Sequence, residues 1–274
     1  MKLKPLVFAL AVGLVASSGA HASAIVSGFS DFTLPRNDDG STGLVSIGFE
    51  VNFFGLNFTQ LYVNNNGNVT FDAALATYTP FGLTATNRQI IAPFFADVDT
   101  RSAGNPVTYG LGVYEGYNAF GVNWVDVDYY SSSSSHTNRN SFQLILVDRA
   151  DVAAGDFDII FNYDQIQWET GTASGGNSSG LGGNSARAGY SNGTGTPGTF
   201  HEMEGSAVNG AFLDGGPNAL ISGSLNSGVD GRYIFQARSG SINPNPNPVP
   251  EPATLALLGI GLAGLGALRR RRQS

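Results

Sequence analysis

Val45-Ser46-Ile47-Gly48-Phe49-Glu50-Val51-Asn52 decides the fold class. Val45, Ile47, Phe49 and Val51 alternate with polar or small neighbours, the period of two that sets one face of a strand on a core and the other in solvent. The alternation returns at Val107, Tyr109, Leu111 and Val113, and again at Phe157, Ile159, Phe161 and Tyr163. Phe142 to Val147 is apolar at nearly every position, which predicts either a central strand covered on both faces or a core segment of ambiguous register. Between Phe120 and Tyr130 the apolar phase switches at Trp124-Val125, the mark of a β-bulge. Turn pairs punctuate these runs at Asp39-Gly40, Asn66-Gly67, Asn192-Gly193 and Asp230-Gly231, and no capped amphipathic helix is legible between them. The pattern predicts an all-β body, an antiparallel β-sandwich or related barrel.

Three low-complexity stretches interrupt the strands. Ser131 to Ser135 reads as an exposed hairpin loop, and Gly171 to Gly183 as a flexible loop too polar to pack. Asn243 to Pro248 alternates Asn and Pro, which favours an extended linker. The two ends of the chain read as targeting segments. Lys2 and Lys4 precede an apolar run from Leu6 to Val15, followed by small-x-small cleavage options ending at Ala22 or Ala24, the layout of a secretory signal peptide over residues 1–24. At the other end Val249-Pro250-Glu251-Pro252 abuts an apolar run over 253–268 and then Arg269, Arg270, Arg271 and Arg272. Sixteen helical residues span roughly 24 Å, short of the roughly 30 Å hydrocarbon core, so this single apolar helix is a marginal transmembrane anchor, with its arginines on the cytoplasmic side. The tail over 249–274 resembles the PEP-CTERM sorting signal. That resemblance implies export through the Sec machinery, transient residence in the inner membrane and processing by an exosortase. An ordinary tail anchor would not explain Val-Pro-Glu-Pro.

Composition narrows the partners. Between the targeting segments the basic residues are eight arginines and no lysine, against twenty acidic residues, so the body carries about twelve excess negative charges. Such a surface repels phosphate backbones and excludes nucleic acid as a natural partner. The chain has no cysteine, so it has neither a disulfide framework nor a thiolate site, and its stability must come from a packed core.

Within that body, Val51-Asn52-Phe53-Phe54-Gly55, Leu61-Tyr62-Val63-Asn64-Asn65-Asn66-Gly67 with Val69-Thr70-Phe71, and Ile91-Ala92-Pro93-Phe94-Phe95-Ala96-Asp97-Val98-Asp99-Thr100-Arg101 resemble consecutive blocks of the nidogen-like (NIDO) extracellular domain. Asn123-Trp124, Asn140 to Val147, Ala188-Gly189-Tyr190-Ser191-Asn192-Gly193, Glu204-Gly205-Ser206 and Gly231-Arg232-Tyr233-Ile234-Phe235 follow in order. The resemblance sets one β domain at 25–240 and a linker at 241–248. It implies an extracellular-matrix or adhesion role and no catalytic residues. As structure, Asn66-Gly67 supplies the positive φ of a tight hairpin, Gly55 a sharp exit from a buried strand, and Pro93 belongs at an edge, a strand start or a bulge.

Candidate chemistry is sparse. Asp97 and Asp99, and likewise Asp126 and Asp128, lie two apart, so each pair shares a strand face if extended; converging carboxylates could hold a hard cation such as calcium. Solvent-facing charge is the competing and commoner use. Gly176-Asn177-Ser178-Ser179-Gly180 fits a nucleophile-elbow spacing but lies in a loop with no strand-turn-helix around it. His136 and His201 read as surface turn residues, and Glu202 with Glu204 are the only acids a secreted glycoside hydrolase reading could name. Tyr114, Tyr117, Tyr129, Tyr130 and Tyr190 are the aromatic material for a lectin-like, glycan-binding alternative. The leading expectation is an exported, non-enzymatic surface or matrix protein, acting in adhesion or exopolysaccharide and biofilm association.

Overall fold

The computed structural model describes residues 23–131 and 136–243; the leader with Ala22, most of the serine run, nearly all of the Asn/Pro linker and the sorting tail with its apolar run at 253–268 lie outside the described residues. Among the described residues no helix is long and apolar enough to cross a membrane.

The strands form two antiparallel sheets. The larger runs β1 (Phe32–Thr33), β7 (Thr108–Tyr114), β8 (Tyr117–Tyr129), β9 (Asn140–Asp148), β10 (Phe157–Ile166), β13 (Arg232–Arg238), β14 (Ser241–Ile242), with β6 (Val98–Gly104) paired to β8. The smaller runs β12 (Phe200–Glu202), β11 (Arg187–Ser191), β5 (Ile90–Phe95), β4 (Asn68–Thr70), β3 (Leu56–Asn64), β2 (Val45–Phe53). Ile47, Val51, Phe53, Val63, Ile91 and Phe94 of the smaller sheet share one buried cluster with Val122, Trp124, Phe142, Leu144 and Phe161 of the larger, so the period-two pattern builds a sandwich.

Tight turns hold the register. Phe54-Gly55 joins β2 to β3 with both residues at positive φ (56° and 84°), the pattern of a type I′ hairpin. Between β3 and β4 the loop is Asn65-Asn66-Gly67, with only Gly67 at positive φ (71°). It is no exposed turn, because Asn64, Asn65, Asn66 and Asn68 are all fully buried. The expected bulge in β8 is present: pairing steps from Trp124 opposite Phe142 to Val127 opposite Asn140, and Asp126 takes φ 58°. Pro93 also sits at a bulge, since β11 pairs Arg187 with Phe95 but Gly189 with Ala92.

Strand β9 is covered on both faces, one of the two readings its sequence allows. Phe142, Leu144 and Leu146 face the other sheet, while Ile145 and Val147 pack outside against Phe29, Tyr114, Ala119 and Ile160. The cover on that outer face is the N-terminal segment. Gln143 exchanges two hydrogen bonds with the Val26 backbone (3.1 and 2.8 Å), and Ala24, 1 % exposed, donates its N–H to Asp164 (2.6 Å).

Two expectations are corrected. Along β7 the alternating face begins in the main core, with Val107 just before the strand fully buried and Tyr109 packed against the core, but it runs out near the rim of the larger sheet, so Leu111 and Val113 are exposed; on the other face, added Cβ atoms at Gly112 and at Gly121 of β8 would strike the Phe29 ring at 2.7 and 2.4 Å. The Gly171 to Gly183 stretch packs into the body. Glu169 and Thr170 both donate their N–H groups to the Gly180 carbonyl (2.8 and 2.9 Å), Ser174 is buried, and Gly180 lies against Trp168 and Tyr129. Its polar backbone finds partners inside the loop itself, which composition alone does not reveal.

Candidate functional site

The four aspartates singled out by spacing take four different positions. Asp126 occupies the β8 bulge at φ 58° and is exposed, whereas Asp128 is buried and faces His136 Nδ1 (2.9 Å) and Arg139 (3.3 Å). The bulge breaks the shared face that an extended Val-Asp-Val-Asp would have had. Asp99 is the cross-strand partner of Asp128, yet its carboxylate is taken by Arg101, which donates through its backbone N–H (2.8 Å), Nε (3.0 Å) and Nη2 (2.8 Å). Asp97 lies in the two-residue link between β5 and β6. There it joins two acids that the spacing argument did not name.

Those two are Asp38 and Asp39, in the loop between β1 and β2. One carboxylate oxygen from each of Asp38, Asp39 and Asp97 lies within 4.8 Å of the others. The buried asparagine run positions all three. Asn65 Nδ2 donates to the Asp38 carbonyl (2.5 Å) and the Val98 carbonyl (2.6 Å); Asn66 Nδ2 donates to Asp39 Oδ1 (2.9 Å), while Asn66 Oδ1 accepts the Val98 N–H (3.0 Å). Trp124 Nε1 fixes the same loop through the Asn65 carbonyl (3.0 Å). Gly171 closes the far side: its φ of −79° suits any residue, but a Cβ there would stand 2.2 Å from Asp97 Oδ2.

The electrostatics follow from burial and crowding. Asp97, 2 % exposed, is pushed up to about 7, by desolvation first and then by the charges of Asp38, Asp39 and Asp99, with the Ser174 hydroxyl opposing. Asp38 is raised to about 6 by burial, Asp99 and Asp39, against the pull of Arg101, whose Nη2 is 3.0 Å from Asp38 Oδ2. Within this group Asp97 Oδ2 and Asp38 Oδ1 are buried oxygens with no hydrogen-bond partner.

Other candidates are committed elsewhere. Glu202 accepts Arg187 Nη1 (2.7 Å) and the Leu83 N–H (2.8 Å), which ties β12 to the segment before β5. His201 lies on β12, not in a surface turn; its ring packs beside Tyr190 and Phe235, and desolvation lowers its affinity for a proton. With Glu204, Asn218 and Tyr233 it borders an open groove of about 500 Å³. His136 stacks on Tyr129 at 3.9 Å. The tyrosines offered for sugar stacking are largely interior: Tyr114, Tyr129 and Tyr190 are buried, and Tyr117 lies under the Arg149 guanidinium (4.6 Å). Ser178 gives its carbonyl to the Tyr129 hydroxyl (2.7 Å), a packing contact that leaves no trace of a nucleophile elbow. Sequence reasoning missed Glu169, whose fully buried carboxylate accepts the N–H groups of Gly210 (2.6 Å) and Phe212 (2.7 Å) and so folds the 205–216 loop onto the body.

Comparison with known proteins places this geometry. Residues 59–239 match the nidogen-like domain, and residues 248–272 match the PEP-CTERM protein-sorting motif. Alpha-tectorin of Mus musculus is 33 % identical over 238 residues, covering 78 % of this chain and 10 % of that protein; alpha-tectorin of Gallus gallus is 32 % identical over 251 residues, covering 82 % and 11 %. The nidogen of Drosophila melanogaster is 27 % identical over 229 residues, 74 % of this chain and 15 % of its own length. The chain therefore spans about a tenth of the length of the first of these relatives. No solved structure matches it. A nidogen-like body joined to a PEP-CTERM sorting motif describes an exported, extracellular protein. By the extent of the first match, which includes the buried Asn64–Asn68 hairpin and the Asp97 link, the chain belongs to the nidogen-like domain family.

Proposed function

We propose that the protein is a non-enzymatic surface or matrix component, cut by an exosortase at its C-terminal signal and then acting in adhesion or exopolysaccharide association. The observation that carries this reading is the pairing on one chain of a nidogen-like domain (59–239) with a sorting motif (248–272) directly behind it. The commitment of Glu202 to Arg187 and Leu83 supports a role without hydrolysis. Export delivers the acidic body outside the cytoplasm; the apolar run over 253–268 would hold it at the inner membrane until Val249-Pro250-Glu251-Pro252 is processed. Fractionation of the native host with mass spectrometry of the mature C-terminus tests the reading. The expected product is a surface or matrix form lacking Arg269 to Arg272. An intact tail on that form, or an undiminished cell-attachment and matrix phenotype after deletion of the gene, refutes it.

The groove beside His201, Glu204, Asn218 and Tyr233 favours a narrower second reading, in which the body holds a glycan. Binding of the purified protein to a polysaccharide panel, weakened by Asn218→Ala, would support it, and an empty panel would remove it.

A further inference from the structure

Two buried oxygens without partners, Asp38 Oδ1 and Asp97 Oδ2, belong to the Asp38, Asp39 and Asp97 cluster. Asp97 is the decisive one. It is 2 % exposed, its Oδ2 accepts no hydrogen bond, and it belongs to a group whose carboxylate oxygens converge within 4.8 Å. Leaving such an acceptor unpaired in a low-dielectric site is costly, and setting other carboxylates beside it adds repulsion. The structure nevertheless builds the arrangement with care: Asn65 and Asn66 pin both strands of chain that carry the acids, and Gly171 leaves the space that a Cβ would have filled 2.2 Å from Asp97 Oδ2. The cation facing the group is Arg101, and it is shared between Asp38 and Asp99. Four carboxyl groups against one guanidinium crowd acids that a bound cation would relieve.

We propose that Asp38, Asp39 and Asp97 bind a calcium ion that pins the β1–β2 loop to the β5–β6 link. The donor set decides the chemistry. All three ligands are carboxylate oxygens, the preference of hard cations, with no thiolate in the chain to draw a softer metal. Oxygens held about 2.4 Å from a central ion lie at most about 4.8 Å apart, so carboxylates that converge within that distance can share one calcium sphere, and calcium, unlike magnesium, tolerates an irregular set of ligands. Three protein carboxylates leave several positions for water and carbonyl oxygens, and Arg101 offsets part of the charge. The affinity therefore belongs in the weak range of extracellular modules, roughly 0.1–1 mM, where an exported domain would be loaded by ambient calcium. The site stands apart from the adhesion reading, because it needs only the folded body.

The test is thermal unfolding of the chelator-stripped full chain, kept in mild detergent, with calcium chloride or magnesium chloride added to 10 mM. Calcium is expected to raise the Tm by roughly 3–10 °C, and magnesium by less. Asp97→Asn and Asp39→Asn should each abolish the rise, and Asp126→Asn, at the exposed bulge, should retain it. If Asp97→Asn does not fold, Asp39→Asn decides, since Asp39 lies nearer the surface. No rise in the parent protein, a rise that survives both substitutions, or an equal effect of magnesium overturns the proposal.

Discussion

Replacing Asn65 by alanine tests whether the asparagine run is interior architecture or a solvated turn. Asn65 is fully buried, and its Nδ2 serves two carbonyls, that of Asp38 on the partly exposed side and that of Val98 in the interior. Truncation leaves both without that donor. A buried orphaned carbonyl costs about 1–3 kcal/mol; the Val98 oxygen should lie near about 2, and the Asp38 oxygen, which water can reach, near about 1. Loss of the packed amide adds about 1 kcal/mol, for a total near 4 kcal/mol, or a fall in Tm of roughly 8–16 °C for a domain of this size. Asn65→Asp has the same shape but turns a carboxylate towards two carbonyl oxygens beside an already acidic cluster. It should be worse than alanine at pH 8 and recover partly as acid protonates it. Urea unfolding measures both, with Asn57→Ala as the comparison, because Asn57 is exposed on its hairpin and should change stability by no more than about 0.5 kcal/mol. An Asn65→Ala cost below about 1 kcal/mol would refute the reasoning, since that is the price of a turn residue in water.

Gly171→Ala keeps an ordinary backbone conformation but forces a methyl group onto the Asp97 carboxylate, so it should cost about 1–3 kcal/mol and remove the calcium response in the same melts. His201 has a lowered folded-state pKa, so its contribution is complete above its unfolded value of about 6.5 and is lost as pH falls through that value; His201→Phe, measured by urea unfolding between pH 7.5 and 5, should lessen the acid loss relative to the parent. The mature N-terminus should be Ser23 rather than Ile25, because Ala24 is buried, donates to Asp164 and accepts from Arg232 Nη2 (2.6 Å); N-terminal sequencing of exported protein checks it, and an Ile25 start would show that the segment is dispensable.

Much of the fold was legible because strand patterning is local. The period-two runs at Val45 to Val51 and Phe157 to Tyr163, the doubly apolar Phe142 to Val147, and the phase switch at Trp124-Val125 each report a property of a few neighbouring residues, and each has its counterpart in β2, β10, β9 and the β8 bulge. The failures are of another kind. Leu111 and Val113 alternate as core residues do, but how much of β7 meets a second sheet depends on how far that sheet extends, and on the other face glycines pack under Phe29. The loop from Gly171 to Gly183 has the composition of a solvated linker and still folds, because its backbone groups bond to one another and its glycines admit Trp168 and Tyr129.

The acidic cluster lies between these cases. Asp97 and Asp99 lie two apart in sequence, but the carboxylates that converge with Asp97 come from elsewhere in the chain, while Asp99 is held by Arg101 and Asp128 by His136 and Arg139. Asp38 and Asp39 reach Asp97 from the loop between β1 and β2, far away in sequence, and what brings them there is Asn65 and Asn66, the second of which read, with Gly67, as turn chemistry. An asparagine side chain can satisfy backbone donors and acceptors on two segments at once, whereas an apolar residue of similar size would leave those groups orphaned in the interior. The same buried amides that let the sheet close around a polar hairpin therefore also fix the distance between the three carboxylates. A substitution that loosens the hairpin must weaken any ion the cluster holds, and Asn66→Ala should lower calcium affinity even though Asn66 supplies no carboxylate to it.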